Sequence, residues 1–301
     1  MKQKTHKLLP FILPGLILYS LFVIYPLFSS LFLSLFSWPG VGPKQFVGLS
    51  NFKEIFFGYY SKELFNAFFN NIYFFVLTTV LELGLGFIIA LMLATKIRGY
   101  KFFRTFVYIP NMIPLVLVGY LWVLFLNPQI GLINNLLKLI GLDNLARPWL
   151  GEPNLALTVI IFTNVWRNIG FYILVLLAAI LDIEPSLIEA AYIDGASNTK
   201  IVKNIIFPLT FSTFRTLIIL LFIWTFNIFD IIYAMEGAQA GPFRSTDVLG
   251  TLFYRTAFGG LGSAALDMGL GAAITVFIFI IVMPISILYV YLSEKNKRRD
   301  L

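Results

Sequence analysis

Three ionisable side chains lie inside otherwise apolar segments of this chain, where a charge is costly and therefore points to function. They are Glu82, Arg167 and Asp230. Asn164 precedes Arg167 by three residues and Asn227 precedes Asp230 by three, so each amide shares a helical face with a charge. Amides and carboxylates satisfy solute hydroxyl groups, while nearby aromatic rings cover apolar solute faces. We therefore predict a pathway for a polar solute lined by Asn164, Arg167, Asn227 and Asp230.

A structural alternative exists for the charged residues. Arg167 could form an ion pair with Glu82 or Asp230 that fixes helix packing and touches no solute. The sequence leaves both interpretations open for Glu82 and Arg167.

Other kinds of chemistry find little support. The chain has no cysteine, and its one histidine, His6, lies in a basic N-terminal tail, so no Cys/His metal site can be built. The apolar segments hold no His/Asp/Glu cluster with catalytic spacing. The phosphate-binding pattern G-x-x-x-x-G-K-[ST] does not occur either. We predict no catalytic residue, metal or cofactor, and energy from ATP would have to come from another subunit.

The elements that carry these residues follow from composition. Hydrophobic residues make up 59% of the chain and charged residues 12%, against about 25% charged in soluble domains. Several stretches exceed the roughly 20 apolar residues that span a bilayer. We predict an all-α polytopic membrane protein with one membrane domain, 1–301, and six transmembrane helices. The predicted spans are Leu8–Phe36, Ala67–Thr95, Thr105–Leu126, Ala156–Leu181, Thr213–Met235 and Gly269–Leu292.

The distribution of Lys and Arg predicts the orientation of these spans. The termini and the even-numbered connections carry 14 of the 22 basic residues, and the opposite side carries 7. Cytoplasmic loops are enriched in Lys and Arg, so we predict that both termini are cytoplasmic. The basic excess is thereby explained without a nucleic-acid partner.

One outer connection contains an amphipathic stretch, GLINNLLKLIG, between Pro128 and Pro148. Its apolar residues recur at helical spacing. The stretch could lie in the membrane interface, anchored by Trp149. It could equally offer a docking surface to an external partner.

The predicted cytoplasmic loop 182–212 has a pattern of its own. Pro185 suits the first turn of a helix, and Gly195 suits a helix end because glycine adopts positive φ. Ser197 can cap a second helix, which we expect to run to Pro208. The loop thus predicts two short helices just before the fifth span.

The same loop resembles the "EAA" loop of ABC importer permeases. The positions that match are Glu189, Ala190, Ala191, Gly195, Ile205 and Pro208, with Phe207 in place of the usual leucine. The stretches YIDGAS and FNIFDIIYAM resemble the carbohydrate branch of that family, typified by the maltose-type permeases. The outer turn departs from the branch, since it has Glu-Gly-Ala-Gln-Ala-Gly-Pro instead of Thr-x-Gly-Gly-Pro.

The resemblance implies a type I importer permease fold with a cytoplasmic coupling helix that sits in a cleft of the ATPase. It also implies two ATPase subunits, a second permease that is a different chain, an extracytoplasmic solute-binding protein and a sugar-like substrate, all in a prokaryotic inner or plasma membrane. Glu189 could pair with a basic group of the ATPase or cap its own helix.

Three alternative functions make different demands on the sequence. An ABC permease for a non-sugar solute would keep the loop and change the cargo. A secondary transporter would be expected to show repeated halves, which this sequence lacks. A membrane-embedded enzyme would need the catalytic cluster that is missing.

Overall fold

The computed structural model describes residues 9–95, 98–259 and 266–297. Over these ranges the chain is predominantly helical, which confirms the predicted fold class. The α-helices are α1 (Leu9–Tyr19), α2 (Tyr25–Leu33), α3 (Ser50–Phe57), α4 (Ser61–Thr78), α5 (Gly86–Ala94), α6 (Tyr100–Tyr108), α7 (Leu115–Phe125), α8 (Leu132–Leu139), α9 (Pro153–Leu181), α10 (Pro185–Ile193), α11 (Asn198–Ile201), α12 (Phe207–Phe226), α13 (Asp230–Glu236), α14 (Leu249–Phe258) and α15 (Met268–Lys297). Two short strands, β1 (Phe36–Ser37) and β2 (Gln45–Phe46), pair antiparallel. The predicted span start at Leu8, together with Lys2, Lys4, His6, Lys7, Lys96, Arg298 and Arg299, lies outside the described residues.

Five continuous helical stretches in the described chain are long and apolar enough to cross a membrane. They are Phe11–Leu33, Ser61–Ala94, Pro153–Leu181, Asn198–Phe226 and Met268–Ser293. A sixth crossing is formed if α6 and α7, which meet at a bend of 95°, count as one broken span.

Two π-helical turns precede prolines within these stretches. Ser20–Ile24 ends just before Tyr25–Pro26, and Val202–Ile206 ends just before Phe207–Pro208. In an α-helix, proline lacks the N–H that would bond the carbonyl four residues earlier, and its ring clashes with that carbonyl. Here that carbonyl lies inside a π turn, which is wider and leaves room for the proline ring. The helix predicted to stop at Pro208 therefore continues through it into α12.

The predicted third span, Thr105–Leu126, is broken in the structure. After α6 comes a 3₁₀ turn, Ile109–Met112, and then Ile113 in extended conformation with ψ of 132°. The residue before a proline is pushed out of the helical region, and Pro114 starts the new direction of α7. The predicted span therefore contains non-helical backbone between α6 and α7.

The fifth span also differs from the predicted Thr213–Met235, because α12 ends at Phe226 and α13 begins only at Asp230. Asn71 stabilises this interruption. Its Nδ2 donates to the Thr225 carbonyl oxygen at 2.6 Å, and its Oδ1 accepts from the Leu249 N–H at 2.8 Å. Asn71 is fully buried, so these two bonds satisfy its side chain where water is excluded.

The chain divides into two compact units, 1–65 with 252–281 and 66–251 with 282–301. In the first unit the β1–β2 hairpin and the start of α15 are held by Asp267. Its carboxylate accepts bonds from the Ser37 hydroxyl and from the Trp38 and Gly269 backbone N–H groups. The second unit contains two buried apolar clusters and all four predicted pathway residues.

Helix α9 is the central element of the second unit. It packs against α5, α6 and α12. Gly170 permits the close approach of α6, since a methyl group there would overlap the Val107 carbonyl oxygen and lie 2.9 Å from the Tyr108 Cα. Thirteen of the 29 residues of α9 are buried, so its position is fixed by packing along its length.

Candidate functional site: a polar cavity and a coupling loop

A cavity of about 430 Å³ lies within the second unit. All four predicted pathway residues line it, and so does Glu82. Its wall consists of Glu82, Asn111, Leu115, Asn164, Arg167, Asn168, Phe171, Tyr172, Leu221, Trp224, Thr225, Asn227, Ile228, Phe229 and Asp230. Residues widely separated in sequence are thus brought to one space that combines amides, charges and aromatic rings.

Arg167 on α9 caps the break between α6 and α7. Its Nε donates to the Ile113 carbonyl oxygen at 3.0 Å, and its Nη2 reaches the Asn111 carbonyl oxygen at 3.4 Å. Backbone groups that leave a helix at membrane depth need partners, because lipid offers none. Arg167 supplies them from a neighbouring helix.

A chain of amides continues from the same guanidinium. Arg167 Nη1 donates to Asn168 Oδ1 at 2.7 Å, and Asn168 Nδ2 donates to Asn164 Oδ1 at 3.1 Å. Asn111 Nδ2 also reaches Asn168 Oδ1 at 3.4 Å. These bonds fix the amide orientations on one wall of the cavity.

The alternative of an ion pair for Arg167 is wrong for the part of the chain that the structure describes. All the hydrogen bonds of its guanidinium go to two backbone carbonyls and one amide oxygen, and neither Glu82 nor Asp230 lies within ion-pair distance. The helix-fixing role itself is present, since Arg167 joins α9 to the α6–α7 break. A guanidinium has five N–H donors, so further donors are available to a solute.

Asn227 and Asp230 flank the interruption between α12 and α13, and both are exposed to the cavity. Asn227 Nδ2 donates to the Ile223 carbonyl oxygen at 2.7 Å. Within the described residues its Oδ1 and the Asp230 carboxylate accept no bond. The Trp224 ring, half exposed, lies 6.0 Å from the Phe171 ring between centroids. A solute ring with several hydroxyl groups could donate hydrogen bonds to these free acceptors and stack on the aromatic faces beside them.

Glu82 also lines the cavity and is fully buried. It lies in the π-helical turn Thr79–Leu85, beside the side chain of Tyr172. Neither carboxylate oxygen makes a hydrogen bond of good geometry within the described chain. Such π turns occur often at functional sites, and this one presents a carboxyl group to the cavity.

The loop that resembles the EAA motif has the two helices expected of it. Helix α10 begins at Pro185 and ends before Gly195, which has φ of +75°. The Ala196 N–H donates to the Ala191 carbonyl oxygen at 2.9 Å, which closes a Schellman-type end. Ser197 is the N-cap residue of α11, although its side chain makes no capping bond.

The six motif residues separate into two groups. Ala191 and Ile205 pack on the apolar core next to α9 and hold the loop in place. Glu189, Ala190, Gly195 and Pro208 are exposed. The Glu189 carboxylate has no hydrogen bond or ion pair to any described residue, so capping of its own helix is not observed. Leu187, Tyr192 and Ile193 of α10 are exposed as well, and such a group of exposed apolar side chains is typical of a contact with a protein partner.

The outer amphipathic stretch forms α8 as predicted. Asn134 is buried and ties the ends of the connection together, since its Oδ1 accepts from Trp149 Nε1 at 2.7 Å and its Nδ2 donates to the Arg147 carbonyl oxygen at 3.0 Å. Leu136 and Leu139 remain exposed. Both interpretations of this stretch, lipid interface and docking surface, are compatible with that face.

Sequence reasoning missed Asn111 as a cavity residue. It lies inside the predicted third span, Thr105–Leu126, and the sequence IPNMIP places prolines on both sides of it. That spacing was the available signal for a broken span with polar backbone.

Comparison with known proteins defines the class. Residues 82–298 match the family model described as binding-protein-dependent transport system inner membrane component. The chain is 33% identical to the probable ABC transporter permease protein YurN of Bacillus subtilis (strain 168), over 84% of this chain and 86% of that protein. It is also 33% identical to the trehalose/maltose transport system permease protein MalF of Thermococcus litoralis, over 96% and 93%. A bacterial ABC transporter that imports the acidic polysaccharide alginate superposes with a TM-score of 0.76 at 25% identity, over 97% and 96%.

The fold and the cavity therefore define a multi-pass permease subunit of an ABC importer. The chain belongs to the family of binding-protein-dependent transport system inner membrane components.

Proposed function

We propose that this permease moves a sugar or oligosaccharide, delivered by an external binding protein, through the cavity described above. The observation that carries the proposal is the lining of that cavity, in which amides, the Asp230 carboxylate and the Trp224 ring face one space. Hydroxyl groups need many donors and acceptors at short range, and the apolar faces of a sugar ring need aromatic cover. The likeness to trehalose/maltose and alginate importers supports the same substrate class.

Hydrolysis of ATP would take place on two separate subunits docked at the loop 182–212. Exposure of Glu189, Ala190 and Gly195 supports this assignment, as does the absence of a phosphate-binding loop from the sequence. Small residues permit close approach of the partner, and the unpaired Glu189 carboxylate suits one of its basic groups. A second permease, expected to be a different chain, would complete the pathway.

The loop and both termini would lie in the cytoplasm, as the distribution of Lys and Arg favours. The native chain has no cysteine, so single cysteines can be labelled without background. In intact cells, Lys2→Cys and Lys297→Cys should resist an impermeant thiol reagent, whereas Lys138→Cys should react. Labelling of the two terminal positions from outside would reverse the orientation.

The substrate class is tested with the assembled transporter in proteoliposomes. ATPase activity and uptake would be measured with the binding protein loaded in turn with maltose, trehalose, an alginate oligosaccharide or methionine. We expect stimulation by at least one saccharide and none by methionine. Stimulation by methionine alone would overturn the sugar assignment while leaving the family membership intact.

A charged saccharide is a second candidate, favoured by one observation. Arg167 faces the cavity and has no acidic partner among the described residues. The same panel separates the candidates, because an acidic substrate would give stimulation with the alginate oligosaccharide and none with maltose or trehalose.

A further inference from the structure

A second groove, of about 490 Å³, lies in the 66–251 and 282–301 unit. It runs between α12 and the C-terminal part of α15, and Phe75 of α4 contributes to one wall. Its lining is otherwise aliphatic and aromatic, apart from two serines, one tyrosine and one arginine. The lining residues are Phe75, Ser212, Arg215, Ile218, Ile219, Phe222, Ile285, Leu288, Tyr289, Leu292 and Ser293.

The polar residues lie at one end of this groove. Helix α12 runs away from the coupling loop and α15 runs back, and a hydrogen bond of 2.6 Å between Thr216 Oγ1 and the Tyr289 hydroxyl fixes their register. Ser212 and Arg215 lie before that bond on α12, and Ser293 lies after it on α15. The opposite end is apolar. The groove is thus polar at the end near the loop 182–212 and apolar at the other end. A phospholipid has the same order, with its headgroup at the membrane surface and its acyl chains in the interior.

Arg215 is the one charged residue of the groove lining. Its side chain is partly buried, and its Cζ lies 5.4 Å from the centre of the Phe211 ring. Among the described residues its guanidinium makes no hydrogen bond and no ion pair, which leaves the donors that recognise phosphate unused. An arginine in this setting is complementary to an anion located at the membrane surface.

We propose that this groove binds one anionic phospholipid from the leaflet on the side of the coupling loop. The phosphate would lie against Arg215, Ser212 and Ser293, and an acyl chain would cover the apolar part. Basic pockets between transmembrane helices are a known way to hold such headgroups. The site is independent of the solute cavity. It adjoins the helix that continues from the coupling loop, so the lipid would stabilise α12 against α15 close to the ATPase contact.

The test uses the complete transporter in nanodiscs of mixed phosphatidylcholine and phosphatidylglycerol. Native mass spectrometry would give the ratio of the two lipids retained per complex. We expect enrichment of phosphatidylglycerol in the wild type and a loss of about fivefold in Arg215→Gln, the factor that one basic residue contributes at an anionic surface. Arg215→Lys should keep most of the enrichment. Arg104→Gln removes an exposed charge from α6, outside the groove, and should retain the wild-type ratio.

A second measurement covers the apolar part and does not depend on the stability of the arginine variants. The photo-crosslinker p-benzoylphenylalanine would replace Leu288 in the otherwise native complex. We expect adducts with phospholipid, and fewer of them when Ile285→Trp fills the groove. Adducts with the second permease instead of lipid would overturn the proposal. Equal enrichment in the wild type and in Arg215→Gln would overturn it as well.

Discussion

Arg167 on α9 donates its Nε–H to the Ile113 carbonyl oxygen at 3.0 Å, across the interior of the helical unit. This bond links the helix that leads to the coupling loop with the broken span that borders the cavity. Leu181, the last residue of α9, is followed four residues later by the start of α10. Arg167 lies 14 residues before Leu181, or about 21 Å along the helix axis. If the loop 182–212 moves as the proposed coupling role requires, one continuous helix connects it to the cavity wall.

Arg167→Gln should lower the stability of the assembled transporter by about 1–3 kcal/mol and abolish uptake, because the carbonyl groups of the break lose their donors. Arg167→Lys should recover part of the stability, since it restores one donor without the planar fork. Thermal unfolding in detergent checks this. Arg147→Gln is the control, because Arg147 and Glu152 form an exposed ion pair 3.7 Å apart that contributes little. Equal unfolding temperatures for the two glutamine variants would contradict the capping role.

Asn227→Ala and Asp230→Ala should each raise the substrate concentration for half-maximal uptake while the complex stays intact. Loss of one hydrogen bond costs about 0.5–1.5 kcal/mol, or roughly two- to tenfold in affinity. Asn135→Ala and Asp143→Ala remove the same groups from the outer connection and should transport normally. If the cavity variants also transport normally, or fail only in assembly, these residues do not contact the substrate.

Gly195→Pro and Glu189→Lys should insert and assemble yet lose binding-protein-stimulated ATPase activity together with uptake. Proline cannot adopt the positive φ of Gly195 and removes the N–H that bonds the Tyr192 carbonyl oxygen at 3.0 Å. Lysine reverses the charge at the proposed contact. Gly141→Pro disrupts a comparable positive-φ turn in the outer connection and should leave stimulation unchanged. Normal stimulation in either loop variant would remove that residue from the coupling contact.

Gly170→Ala should destabilise the protein by about 1–3 kcal/mol, the usual cost of overpacking. The added methyl group would overlap backbone atoms of Val107 and Tyr108, so α6 must move away from α9. Gly84→Ala is the matched control, because a methyl group there has no atom within 4 Å. Differential scanning fluorimetry would compare the two. If Gly170→Ala lowers the unfolding temperature less than Gly84→Ala does, α6 can move away from α9 at little cost in stability.

Glu236, the last residue of α13, should make stability depend on pH. Burial raises its pKa from the usual 4.5 to about 7, so the folded protein binds a proton that the unfolded chain releases at lower pH. The stabilisation is present below pH 4.5 and is lost as the pH rises through about 7. The unfolding temperature should fall over that interval in the wild type and show a smaller fall in Glu236→Gln. If the unfolding temperature falls equally in the wild type and in Glu236→Gln, titratable groups other than Glu236 cause the pH dependence.

The sequence was sufficient for the helical class, for the two short helices of the loop 182–212 and for four of the residues that line the cavity, because these depend on local composition and on motif spacing. Arg167 shows where such inference ends. Its position inside an apolar span predicted a polar partner, but the partner turned out to be backbone released by two prolines on another helix. The interruption after Phe226 depends similarly on Asn71, which lies 155 residues earlier in the chain. Contacts of this kind are set by packing and leave no periodic signal.

The π-helical turn at Thr79–Leu85 also bears on how related chains vary in length. A π turn bonds each N–H to a carbonyl five residues back, so it accommodates one more residue than an α turn. Loss of one residue within Thr79–Leu85 would convert it to ordinary helix and keep α4 and α5 in their places. Only the residues of the turn, Glu82 among them, would change direction, by about 100° for one residue. Single-residue gaps within the spans of related permeases should therefore fall at Ser20–Ile24, Thr79–Leu85 and Val202–Ile206, and a relative with a gap at the second of these would lack the inward carboxyl group.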